Sequence, residues 1–207
     1  MSQKGILAVV SGFSGAGKGT LMKALLSQYA SQYALSISAT TRNPRVGEEH
    51  GREYFFLKKE EFEQMIAEDA FIEHACYVGN YYGTPKSYVM EQMEAGKDVI
   101  LEIEIQGALK VKEKFPETLL LFVTPPNAQE LESRLRGRGT ETEDVIRDRL
   151  KRAAEEAEYM EQYDYILVND VLEDCVEKMH ELIQSQHQKT ERNQEFVAAM
   201  KEGLKQL

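Results

Sequence analysis

"SGFSGAGKGT", residues Ser11 to Thr20, decides how the rest of the chain is read. It follows "ILAVV" (Ile6 to Val10), a short apolar run rich in β-formers, and leads into "TLMKALLSQYA", where Leu21, Leu25 and Leu26 share one helical side. Strand, glycine loop and helix, in that order, are the setting a phosphate-binding loop requires. Such a turn aims successive backbone N–H groups at phosphate oxygens, and the helix adds its positive end. The pattern GxxxxGK[ST] is met from Gly12 to Gly17 and Lys18, but Gly19 stands where the hydroxyl belongs and Thr20 supplies it one place later. The candidate nucleotide-binding stretch is thus Gly12, Phe13, Ser14, Gly15, Ala16, Gly17, Lys18, Gly19 and Thr20. Lys18 supplies charge for the β- and γ-phosphates. Thr20 is left to donate to an α-phosphate oxygen, and Mg²⁺ to be held by nucleotide oxygens and water.

The charge balance agrees with a local phosphate site in an acidic protein. Among 207 residues, 25 lysines and arginines face 35 acidic residues, a net charge of −10. That argues against nonspecific binding of nucleic acid or an anionic membrane. The length suits one domain with a substantial core. Cys76 and Cys175 lie in no CxxC pattern, and His50, His74, His180 and His187 have no zinc-ligand spacing. No apolar run is long enough to span a bilayer or act as a signal peptide, so the expected compartment is the cytoplasm.

Further along, "DVILEIEI" (Asp98 to Ile105), "TLLLFVTPP" (Thr118 to Pro126) and "YDYILVND" (Tyr163 to Asp170) read as buried strands separated by helical patterns. From Thr142 to Tyr163 the apolar positions Ile146, Leu150, Ala153, Ala157 and Met160 step by three or four. Alternating strands and helices predict an α/β fold with a parallel sheet. Residues 38 to 90 differ. "REYFFL", "FIEHACYV" and "NYYGT" are aromatic-rich strand candidates around one helix, "KEEFEQMIAEDA", and predict a small inserted sheet. "GRGTETEDVIRDR" is polar, with two glycines, and reads as a flap.

The GKGT form of the loop is familiar from adenylate kinase, and no NKxD motif favours a GTPase. "SATTRNPRVGEEHGREYFF" (Ser38 to Phe56), "FIEHACYVGNYYGT" (Phe71 to Thr84), "LEIEIQGA" (Leu101 to Ala108), "RLRGRGTETEDVIRDRL" and "YDYILVND" follow the loop in order. Together they closely resemble guanylate kinases across residues 5 to 184. The resemblance implies a P-loop NTPase-type parallel sheet flanked by helices, with a small mixed α/β GMP-binding insertion and a helical lid. On that pattern the core is 5–37 and 91–184, the insertion about 38–90 and the lid about 126–152, with a helical tail at 185–207.

The implied activity is Mg²⁺-dependent transfer of the ATP γ-phosphoryl group to GMP. Guanine presents N1–H and a 2-amino group as adjacent donors, which one carboxylate can accept. Glu73 matches the family's guanine-binding glutamate, with Ser38 and Thr84 as hydroxyls that hydrogen-bond the base. Adenine would leave that carboxylate unpaired, and such a site discriminates by roughly 10⁴ or more. Arg42 and Arg45 match the clamp on the acceptor phosphate, where forked guanidinium donors suit a dianion. Tyr54 and Tyr82 match tyrosines reaching the same phosphate. Glu102 and Glu104, two apart on an expected strand, should share a face. The family's best-known form has aspartates there, and the resemblance puts Glu104 on the guanine amino group and Glu102 near the Mg²⁺ water shell. Arg134, Arg138 and Arg149 match lid arginines closing over ATP, and Asn169 a position near the adenine. Arg147 and Arg152 read as solvated i,i+4 ion-pair partners.

Two other readings compete. A guanylate-kinase-like binding module without catalysis typically lacks an intact phosphate loop, whereas Lys18 and the matched arginines are present here. A kinase for another monophosphate is disfavoured by Glu73 with Ser38 and Thr84.

Overall fold

The computed structural model describes residues 4–77, 79–137 and 142–207. Its organising element is β1 (Leu7–Gly12), whose first five residues are buried. A continuous apolar run of this kind suits a strand covered on both faces, as in parallel sheets. The chain continues through α1 (Lys18–Gln28), β2 (Tyr33–Leu35), β3 (Ala39–Thr40), β4 (Phe55–Phe56), α2 (Lys59–Ala67), β5 (Phe71–Tyr77), β6 (Asn80–Pro85) and α3 (Lys86–Glu94). It then forms β7 (Asp98–Glu102), α4 (Ile105–Lys114), β8 (Leu119–Thr124), α5 (Ala128–Gly137), α6 (Glu143–Ala157), β9 (Tyr165–Val168), α7 (Leu172–Gln186) and α8 (Gln194–Leu204).

Five strands make a parallel sheet in the order β2-β7-β1-β8-β9. β1 is central, with Val9 opposite Leu101 on one side and Leu120 on the other. Its C-terminal end therefore stands beside the ends of β7 and β8, where ligands bind in open α/β sheets. Leu21, Met22 and Leu25 of α1 and Cys175, Val176, Met179 and Ile183 of α7 pack into the same core.

The insertion is a second sheet, in the order β4-β3-β6-β5, antiparallel except for β3 with β4. Its own small core is Ala39, Phe62 and Phe71, with Phe62 stacked on Phe71 at 4.3 Å and on Tyr81 at 5.3 Å. Ile72 instead joins the large core. Adjacent residues of β5 thus tie the two sheets together.

Two expectations need correction. "YDYILVND" is not a fully buried strand: β9 is an edge strand in which only Leu167 is buried, because it pairs with β8 alone. "DVILEIEI" is not one strand either. It stops at Glu102, and Glu104 precedes the first turn of α4.

A buried carboxylate closes the end of the sheet opposite the loop. Asp98, 2% exposed, accepts from Ile6 N–H at 2.7 Å and from Gln184 Nε2 at 2.8 Å, and His187 Nε2 lies 2.8 Å from it. Truncating it strands buried partners from β1's approach and α7. Asp98→Ala should lower unfolding free energy by about 2–4 kcal/mol, and Asp98→Asn, which keeps an acceptor, by less. Urea denaturation followed by circular dichroism measures both.

Candidate active site

The glycine loop leaves β1 at Gly12, whose φ of 148° and close approach to Val123 exclude a side chain: an added Cβ would lie 2.0 Å from the Val123 carbonyl oxygen. Phe13 turns its ring into the core against Phe122, at 5.0 Å, and Ala16 is fully buried. These two therefore leave only backbone to face a ligand. Lys18 opens α1 and folds back over the loop, Nζ donating to Gly12 O at 2.7 Å and Phe13 O at 3.2 Å. Ser14, Gly15, Gly17, Lys18, Gly19, Thr20 and Glu102 border one recess. The missing hydroxyl at position 19 leaves the recess intact, with Thr20 on its wall.

Asn169 follows β9 and lies behind this loop. Its Nδ2 donates to Ala16 O at 2.8 Å, and the residue is 6% exposed. Its side-chain N–H therefore braces the loop from behind, at the sequence position matched to the neighbourhood of an adenine. Its carbonyl accepts from Arg134 Nη1 at 2.9 Å, while Arg134 Nε donates to Glu130 at 2.7 Å. Arg149 on α6 reaches the loop directly, donating to the Ser14 hydroxyl. Arg138, expected beside them, lies outside the described residues.

In the insertion, strand alternation sorts the side chains. Tyr81 faces Phe62 of α2, so Tyr82 and Thr84, one residue either side of Gly83, share the pleat's two-residue period on the opposite face. Thr84 is fully buried and its hydroxyl donates to Glu73 Oε1 at 2.9 Å. Its proton is spent on orienting Glu73, which leaves the hydroxyl oxygen's lone pairs as acceptors. Burial pushes the Glu73 carboxyl above the ordinary glutamate value, opposed by the Thr84 hydrogen bond and the charge of Lys110. Ser38, half-buried, precedes β3, and its carbonyl holds Phe55 N–H at 2.9 Å.

The basic cluster lies beyond β3. Tyr54 and Tyr82 rings are 6.1 Å apart, and the Arg42 guanidinium stands 5.4 Å from the Tyr54 ring centre. Burial pushes the Tyr54 hydroxyl up. Sequence reasoning missed Glu48. It accepts from Arg42 Nη1 at 2.9 Å and Nη2 at 3.0 Å, and from Arg45 N–H at 2.7 Å. Both side chains are under a fifth exposed, and the Arg42 hydrogen bonds hold the Glu48 carboxyl below its usual range. An acid six places after an arginine, across the turn at Gly47, is the only signal the sequence offered for it.

Glu102 and Glu104 do border one recess, with Lys18 and Glu156, though by different routes: one ends β7 and the other caps α4. Desolvation beside the loop pushes the Glu102 carboxyl up, opposed by the Lys18 charge. Among the described residues no group of three or more His, Cys, Asp or Glu side chains is arranged to hold an ion. Glu102 and the Thr20 hydroxyl instead suit a hard cation that arrives on phosphate oxygens and keeps much of its water.

The glycine loop stands at the end of the parallel sheet, and the inserted sheet carries the arginine–tyrosine cluster and the half-buried Glu73 carboxylate oriented by Thr84. A family model described as guanylate kinase matches residues 4–186. Proteins described as guanylate kinase from Bacillus subtilis (50% identical, covering 93% of this chain and 94% of the relative) and Caldanaerobacter subterraneus subsp. tengcongensis (48%, 98% of each) are similar along nearly their whole length. The crystal structure of guanylate kinase from Anaplasma phagocytophilum superposes with a TM-score of 0.70 at 31% identity, covering 92% of this chain and 90% of that one. The loop, the parallel sheet and the inserted sheet thus have their counterpart in full-length relatives, and the chain belongs to the guanylate kinase family.

Proposed function

We propose that the protein transfers the γ-phosphoryl group of ATP to GMP, giving ADP and GDP. The observation that carries this reading is the Glu73–Thr84 pair. Thr84 orients this half-buried carboxylate, which can then accept from a donor edge, and guanine supplies adjacent donors where adenine supplies a lone pair. Glu104, just before α4, is assigned the 2-amino group, and Ser38, just before β3, a hydrogen bond to the base.

ATP lies along the loop, its phosphates meeting the N–H groups from Phe13 to Thr20 and the N-terminus of α1. Lys18 gives up its hold on the Gly12 and Phe13 carbonyls for the β- and γ-phosphates. Arg134 and Arg149 close from α5 and α6. Arg42, Arg45, Tyr54 and Tyr82 take the acceptor phosphate, which must displace or share the bidentate hold of Glu48. A phosphate oxygen is already ionised, so the acceptor needs no strong general base. Catalysis is then alignment of the reacting groups and neutralisation of the transferring one. Glu102 and Thr20 border the recess where Mg²⁺ would arrive with the nucleotide, and the bound ion would supply further neutralisation. Closing the insertion against the lid keeps water from taking the phosphoryl group. We place the reaction in the cytoplasm: both cysteines are free thiols, as a reducing compartment keeps them, and no helix among the described residues is long and apolar enough to cross a membrane.

ADP release from ATP–Mg²⁺ should be stimulated by GMP and not by AMP, CMP or UMP, and Glu73→Gln should abolish the GMP preference. No stimulation by any monophosphate would sink the reading. Acidification tests the same carboxylate. Accepting from guanine requires the ionised form, and burial raises the value at which Glu73 takes up its proton. Lowering the pH through that raised value should therefore raise the KM for GMP in the wild type. Glu73→Gln lacks this component while sharing the titration of the GMP phosphate, so the wild-type advantage in KM should shrink toward acid pH. Lys18→Met should lower kcat by about 10³, the scale set by removing a positioned cation from phosphoryl transfer, with GMP binding measured by calorimetry retained.

A further inference from the structure

Arg152 read in the sequence as one half of a solvated helix pair. It does donate from Nε to Glu156 Oε1, four residues on, at 2.9 Å. It also crosses the cleft, Nη2 donating to Glu104 Oε2. Three residues earlier on α6, Arg149 donates to the Ser14 hydroxyl of the phosphate loop. One turn of α6 therefore holds the donor loop with one arginine and the candidate acceptor carboxylate with the next.

Glu104 needs such a hold. Its side chain is 76% exposed at the start of α4, and a glutamate has three side-chain torsions to fix before it can present an oxygen in one place. Arg152 takes Oε2 and leaves Oε1 with its lone pairs open. Glu156, whose side chain is only 16% exposed, anchors the other edge of the guanidinium and keeps it from following solvent. The same guanidinium thus joins a fixed carboxylate on the lid helix to a pliable one on the acceptor side.

We propose that Arg152 is a positioning residue for the acceptor base: it tethers one oxygen of Glu104 so that the other is presented to the guanine 2-amino group. This rests on the reading of Glu104 given under Proposed function. Arg152 contacts the base only through Glu104, so its effect belongs in acceptor selection and not in the rate of transfer. An exposed ion pair supplies up to about fivefold in an equilibrium constant, and that sets the expected size.

The test uses the full chain with ATP–Mg²⁺ and two acceptors, GMP and inosine monophosphate, which lacks the 2-amino group. Arg152→Ala should raise the KM for GMP about three- to fivefold, leave kcat within twofold, and leave the KM for inosine monophosphate unchanged. Glu104→Ala alone should lower the preference for GMP over inosine monophosphate, and adding Arg152→Ala to it should change nothing more. Both side chains are more than half exposed, so truncation leaves the core untouched. If Glu104→Ala lowers the preference but Arg152→Ala does not, the tether is wrong and the reading of Glu104 stands. If Glu104→Ala leaves the preference unchanged, the reading of Glu104 falls and the tether with it. A drop in kcat with both acceptors, persisting without Glu104, would make Arg152 a cation for the phosphoryl group instead.

Discussion

The parallel pairing of β1 with β7 on one side and β8 on the other is the constraint on which the site depends. Because the three strands run together, Gly12, Glu102 and Thr124 end at one edge of the sheet. The loop can then pass over Val123 with no room for a side chain at Gly12. β9 adds Asn169 at the same edge, and its amide braces the loop from behind. Without this edge Lys18 has no carbonyls to fold onto and Glu102 has no cation beside it. Asp98, at the far end of β7, holds the same strands from the other side.

The arginines around the cleft are already engaged. Arg42 holds Glu48, Arg134 holds Glu130 and the Asn169 carbonyl, Arg149 holds Ser14, and Arg152 holds Glu104 and Glu156. On the proposed reading, phosphate binding is an exchange of partners, in which the ligand replaces or shares a carboxylate, carbonyl or hydroxyl already in place. In a protein of net charge −10 this arrangement keeps the basic groups from forming one open positive surface. It also favours ligands that reproduce the forked geometry of a carboxylate, as a phosphate does.

What could be read from the sequence was what is local. From Gly12 to Thr20 the loop, its strand and its helix are contiguous, so spacing alone carries the geometry. The strand at "TLLLFVTPP" was legible because its apolar run is continuous and ends at two prolines. β9 looked equally apolar, but whether a strand lies at the edge depends on which partner the sheet lacks, and that is not local. Glu102 and Glu104 were read as one strand because nothing in "LEIEIQG" marks where the sheet ends and α4 begins. The partners of Thr84 and Asn169, and Glu48 altogether, were not legible for a common reason. Each is defined by a partner eleven, 153 or six residues away, and a hydroxyl, amide or carboxylate does not announce which group will claim it. Resemblance supplied the positions, and the structure supplied the partners.

The central place of β1 also bears on how the chain acquires its fold as it is made. The strand carrying the loop is among the first segments synthesised, yet its neighbours are β7 and β8, the latter ending at Thr124. At about 5–20 residues per second, roughly 5–20 s pass before β1 can be paired on both sides. During that interval the insertion, complete by Pro85 and built from neighbouring segments around Phe62 and Phe71, already has its own small core. The order of manufacture therefore reverses the order of importance: the peripheral sheet can close early, while an apolar strand at the heart of the enzyme waits, exposed, for a partner encoded more than a hundred residues downstream.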